Sequence, residues 1–250
     1  MRSMSLFRCV MALAAVLVAG ATSASSAVAQ LYVMESTVAA IRVGSAFDMN
    51  ATIALPAGSY IRAVLPSGKT QTIKGPYTGT VADLAKGQPI NEGVTAWLKN
   101  ILKTGGATES TTGATRSIAR PPDKPRAAFS WSTIPVVDGT VCIEKGAKPT
   151  LVRTGTAKPA EHATIVDPGN GRQAEAQWAE GADSAGWPAG LALRADTTYY
   201  VILPDRPRRQ ITLRLLDRLP DEDDVLAELQ RRGCSGQFAA WVRGKLAAAK

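Results

Sequence analysis

Between Ala127 and Leu216 no single pattern runs for long. Short β-branched and aromatic segments recur at roughly 10–15-residue intervals with Gly and Pro between them. They are Phe129-Ser130-Trp131, Thr140 to Ile143 after the Asp138-Gly139 turn, Thr150 to Arg153 after Pro149, and Ala163 to Val166. The Asp167-Pro168-Gly169-Asn170-Gly171 turn follows, then Ala174 to Trp178, Thr198 to Leu203 and Ile211 to Leu215. Without long helical segments between these strands, a parallel βαβ sheet is disfavoured. The pattern predicts a mainly β chain with a β-sandwich of immunoglobulin-like size over residues 127–216.

Cysteine usage constrains the same region. Arg2 and Arg8 flank the start of an apolar run from Val10 to Gly20, and Ala27-Val28-Ala29 offers small residues where a signal peptidase reads. This predicts a secretory signal peptide over residues 1–29, cleaved after Ala29. The apolar run falls short of the about 20 residues that cross a bilayer, so no transmembrane anchor is expected in the mature chain. The location that follows is periplasmic or secreted. Cys9 leaves with the leader, and Cys142 and Cys234 remain. In an oxidising compartment they predict a disulfide, and closing a loop of about 90 residues is worth roughly 4–5 kcal/mol in chain entropy. The alternative is one buried and one reactive thiol.

Residues 30–103 read as a small β unit followed by a helix. Val38 to Val43 alternates loosely, and Ala51 to Leu55 tolerates extended backbone. Ser59 to Leu65 and Thr70 to Ile73 are strand-like runs around Pro66-Ser67-Gly68-Lys69, which makes a hairpin. Gly75-Pro76-Tyr77 ends it, because proline cannot donate to a ladder. The cadence of Leu55-Pro56-Ala57-Gly58-Ser59, Leu65-Pro66-Ser67-Gly68-Lys69 and Gly75-Pro76-Tyr77 resembles FecR-type periplasmic domains over residues 38–80. That resemblance implies a periplasmic β domain used for protein or ligand contact. The signalling members of that family carry a cytoplasmic anti-sigma segment and a membrane helix, and neither is seen here. After a turn at Val81 to Ala85, Val94, Trp97, Leu98, Ile101 and Leu102 recur at helical spacing, with Asn91 as cap.

Thr104 to Arg126 is rich in Gly, Thr and Pro and reads as a linker at a domain boundary. Residues 217–250 read as a helical hairpin packed on the sandwich. Asp221 to Asp224 sits at the first helix's start and Arg231-Arg232 at its end, matching the helix dipole, and Gly233 provides the stop. Ser235 can cap a second helix bearing Phe238, Trp241, Val242 and Leu246. The disulfide would staple this hairpin to the sandwich.

No catalytic constellation emerges. His162 is the single histidine, which excludes a multi-histidine metal centre, and no metal or cofactor is implied. No serine stands in a G-x-S-x-G elbow. The leader holds two of the 29 Lys and Arg and none of the 21 Asp and Glu, so the mature chain keeps a net charge of about +6. Its clusters, Arg206 to Arg209 and Arg231-Arg232, lack the interleaved aromatics of a nucleic-acid surface. The expected function is a non-catalytic periplasmic binding or scaffold protein of the cell envelope, with an envelope protein or cell-wall polymer as partner. Its candidate contacts are Tyr60, Tyr77, Trp187, Arg206, Arg208 and Arg209. One alternative is a carbohydrate- or peptidoglycan-directed enzyme using Glu175, Glu180 or Asp183 near Trp178 and Trp187. Another is a regulatory partner of an envelope signalling system.

Overall fold

The structure, a computed structural model, describes residues 29–104, 128–153 and 159–248. The expected leader (apart from Ala29) and the expected linker (apart from Thr104) lie outside the described residues.

Six strands open the chain: β1 (Gln30–Ser36), β2 (Ala46–Asp48), β3 (Thr52–Leu55), β4 (Tyr60–Val64), β5 (Thr70–Lys74) and β6 (Tyr77–Thr80). Four of them form an antiparallel sheet in the order β2-β1-β4-β5, and β3 pairs with β6. In β1, Leu31, Tyr32, Val33 and Met34 are all buried. Leu31 and Val33 join Ile53, Ile61 and Ile73 in the core of this module. Tyr32 and Met34 point the other way, into a second core. A run buried on both faces marks a sheet covered on both sides. The extended segment expected at Val38 to Val43 is instead a turn, with the Ile41 N–H bonded to the Val38 carbonyl at 2.9 Å.

The β4–β5 hairpin forms as the Pro66–Lys69 turn predicts. Gly68 takes φ +87°, and a Cβ there would come 2.9 Å from Val94 Cγ2, so this turn also requires glycine for close packing. Helix α1 (Val81–Ala85) begins with a capping box between Thr80 and Asp83. Helix α2 (Glu92–Thr104) starts where Asn91 Oδ1 accepts the Val94 N–H at 3.1 Å. It buries Val94 and Leu98 in the second core.

The remaining strands are β7 (Thr133–Pro135), β8 (Gly139–Glu144), β9 (Thr150–Val152), β10 (Glu161–Asp167), β11 (Arg172–Trp178), β12 (Ser184–Gly186), β13 (Thr197–Ile202) and β14 (Arg209–Leu216). They build a five-stranded sheet, β11-β10-β13-β14-β8, and a three-stranded sheet, β12-β9-β7. The β14–β8 and β7–β9 pairs are parallel. Ile134, Leu151 and Ala185 from the smaller sheet share one apolar cluster with Ile143, Ile165, Trp178, Tyr199, Val201 and Leu213 from the larger. Phe129 to Trp131, expected as a strand, is not one: the two rings meet edge to face at 4.9 Å and flank the second core. The short strand β12 had no counterpart among the expected elements.

At the C-terminus a 3-10 turn (Glu222–Asp224) leads into α3 (Val225–Arg231) and α4 (Ser235–Ala248). Gly233 stops α3 at φ +76°. Val225, Leu226, Leu229, Phe238, Trp241 and Val242 meet Tyr32, Met34 and Val64 on one side and Cys142 and Leu216 on the other. The helices therefore sit between the two β modules. The expected disulfide is present: Cys142 and Cys234, both fully buried, are bonded with Cα atoms 5.9 Å apart.

The acidic turn has a second role besides starting a helix. Arg62 pairs with Glu222 at 2.8 Å and with Asp223 at 3.7 Å, Lys69 pairs with Asp224 at 3.4 Å, and Lys245 pairs with Glu222 at 2.6 Å. These pairs join the turn to the first hairpin and to α4.

Candidate interaction surface

One side of the five-stranded sheet faces the apolar cluster, so alternate residues point outward. Along β13 the inward residues are Tyr199 and Val201, and the outward ones are Thr198, Tyr200 and Ile202. Register extends these into rows across the sheet. Tyr200 lies between Val166 and Gln210, with Gln173 beyond Val166. Ile202 stands beside Thr164, with Glu175 next. Thr198 opposes Thr212, and their hydroxyls are 2.8 Å apart.

The helices cover only part of this outer face. Cys142 and Leu216 point outward from β8 and β14 and are buried against α3 and α4. Farther across, Gln173, Glu175, Gln177, His162 and Gln210 are exposed, and Ile202 is 43% exposed. Arg208 places its guanidinium carbon 4.4 Å from the centre of the Tyr200 ring. Among the described residues, the part left uncovered is a polar field around Val166, Tyr200 and Ile202, with the Arg208 cation lying on the aromatic ring. Such a face can contact a partner surface through apolar and hydrogen-bonding groups.

The residues predicted from sequence do not converge on it. Of the six, Arg208 reaches this face. Arg206 bonds Glu161 at 2.8 Å, and Arg209 bonds Asp138 at 3.0 Å. Asp138 also accepts the Gln210 N–H at 2.7 Å, which together with Arg209 holds its carboxyl below the usual carboxylate range. Tyr60 lies in the first module and donates to Glu35 at 2.5 Å, a bond that pushes its phenol pKa up. Tyr77 packs beside the first core. Trp187 covers the edge of the larger core, meeting Tyr199 edge to face at 5.1 Å, and its indole N–H donates to the Leu191 carbonyl at 2.8 Å. Its polar group is therefore satisfied within the fold.

The carboxylates are placed equally plainly. Glu175 is exposed on the outer face of β11, opposite the buried Trp178. Glu180 and Asp183 are exposed in the connection to β12. The buried acids are structural. Glu161 lies 3.4 Å from Arg153, whose guanidinium also donates to the carbonyls of Pro159, Ala179 and Ala182. Arg153 thereby fastens the loop after β11 to the start of β10, and its charge is fully engaged. Asp167 accepts the Gly169 N–H at 2.9 Å and pairs with Arg194 at 2.5 Å, which closes the β10–β11 turn. Among the described residues no three His, Cys, Asp or Glu side chains gather as metal ligands, and no helix is long and apolar enough to cross a membrane.

Sequence reasoning missed Val166, Tyr200 and Ile202. The signal was the alternation within Thr197–Ile202, where the two tyrosines must face opposite sides. Comparison with protein-family models, curated proteins and solved structures returns no match to this chain.

Proposed function

We propose that this protein is a non-catalytic binding or scaffold protein of the bacterial cell envelope, acting in the periplasm or outside the cell. In this reading the two sheets over the shared core form a sandwich of immunoglobulin-like size, and the N-terminal module is a FecR-like domain. The observation that carries the proposal is the uncovered part of the five-stranded sheet. Val166, Tyr200 and Ile202 are ringed there by Thr, Gln and His side chains, with Arg208 on the tyrosine ring. A mixed polar and aromatic surface of this kind suits contact with a protein or a cell-wall polymer. The disulfide supports an oxidising location.

The test is capture from a detergent-solubilised envelope fraction, comparing the natural chain with an Ile202→Asp, Arg208→Ala double variant. Both changes are on the surface, so the variant should keep its circular dichroism and melting profile. The natural chain should retain a partner at least tenfold more strongly than the variant. Equal recovery by both would reject this face as the contact surface.

A further inference from the structure

Among the described residues the five-stranded sheet ends at β8, which pairs with β14 on one side. Its other edge would present unpaired N–H and C=O groups, the usual template for joining a second chain. One residue of α4 closes it. Gln237 is buried, its Oε1 accepts the Cys142 N–H at 2.6 Å, and its Nε2 donates to the Cys142 carbonyl at 2.8 Å. The same Nε2 also donates to the Ser130 carbonyl at 2.9 Å. A side-chain amide thus takes the place of a neighbouring strand. Two residues along, the Glu144 N–H bonds the Trp131 carbonyl at 2.9 Å. Cys142 is also joined through its sulfur to Cys234, one helical turn before Gln237. A single strand residue is therefore attached to α4 by its N–H, its carbonyl and its side chain.

We infer that the Cys142–Cys234 bond and Gln237 form a redox-dependent guard on the β8 edge, and that reduction turns this edge into a self-association site for a second copy of the chain. A dithiol reductant delivers two electrons and two protons. The S–S bond breaks, two thiols form, and the reductant closes into its own disulfide. With the sandwich still folded, the loop that the cross-link closes in the opened state runs only from the end of β14 to Cys234, and freeing it raises the population with α4 lifted by about a hundredfold. At its far end the strand closes with Glu144, whose N–H stays with Trp131. The part that lifting α4 frees reads Gly139-Thr140-Val141-Cys142-Ile143, which holds no charge and no proline and three β-branched residues, a composition that favours pairing with an identical strand.

The test uses the full mature chain at a series of concentrations, by light scattering after size exclusion, with hydrogen exchange of the α4 amides in parallel. The oxidised chain should be monomeric. The reduced chain, and a Cys142→Ser, Cys234→Ser variant without reductant, should associate with rising concentration and exchange α4 amides about a hundredfold faster. Adding Thr140→Lys to the cysteine-free variant places a charge on the edge strand and should restore the monomer. A reduced natural chain that stays monomeric, whether or not α4 opens, overturns the inference. So does association that survives Thr140→Lys.

Discussion

Gln237 shows how much one buried amide can organise. Its three hydrogen bonds reach Cys142 twice and Ser130 once, linking the first residues of the C-terminal module to its edge strand and to α4. Gln237→Ala would leave an N–H and two carbonyls buried without that partner, and leaving a buried group unsatisfied costs about 1–3 kcal/mol. The urea midpoint should fall correspondingly with the slope unchanged. An unshifted midpoint would mean that these groups find other partners. Nothing in the sequence marked Gln237, because a glutamine in a helix is ordinarily solvated and its partner lies 95 positions away. Trp187 was expected as a contact residue, whereas it packs edge to face on Tyr199 and donates to the Leu191 carbonyl, as a lone tryptophan in a small-residue loop beside a core can. The arginine cluster was legible as a cluster but not as a set of contacts. Arg206, Arg208 and Arg209 go to Glu161, Tyr200 and Asp138, three partners in three places.

Secondary structure was readable in several elements whose one face meets water and whose periodicity or turns are clean. The β4–β5 hairpin, α2, and β10, β11 and β14 carry clean periodicity or turn chemistry, and each forms. Strand β1 was missed because both of its faces are buried, so Leu31 to Met34 shows no alternation. Strand β12, Ser184-Ala185-Gly186, has side chains too small to signal anything and is defined by its pairing with β9. Phe129 to Trp131 alternates for a local reason, two rings turned to one core, and so mimics a strand. The acidic turn was read as dipole matching, and its ion pairs with Arg62, Lys69 and Lys245 needed the tertiary fold to appear. Lys245, with Arg62 adding, holds the Glu222 carboxyl below its ordinary value. The stabilisation from this pairing is therefore complete above the unfolded value of about 4.3 and is lost as pH falls through the lower folded one. The carboxylate is more than half exposed, so screening limits its worth to about 1 kcal/mol at most. Acidification from pH 6 to pH 3 should therefore destabilise Glu222→Gln by up to about 1 kcal/mol less than the natural chain. Identical pH profiles would show that the pairs contribute nothing.

Across the whole molecule, the second core is where the modules meet. The sequence separates them at residues 104–126, whereas their buried residues are joined through α2, α3 and α4. Phe238 is fully buried there and meets Trp97 edge to face at 5.1 Å. Phe238→Ala should cost about 3–5 kcal/mol. Its effect should appear as faster hydrogen exchange in β1 and β8 alike, because both strands border the same cluster. Faster exchange in β8 alone would mean that the modules are energetically separate. The contact between β1 and α4 has a further consequence for a chain made from its N-terminus onward. Strand β1 is made long before α4, the helix that covers Tyr32, Met34 and Val64. A copy cut short before α4 therefore keeps an uncovered apolar sheet face that proteases and chaperones can recognise.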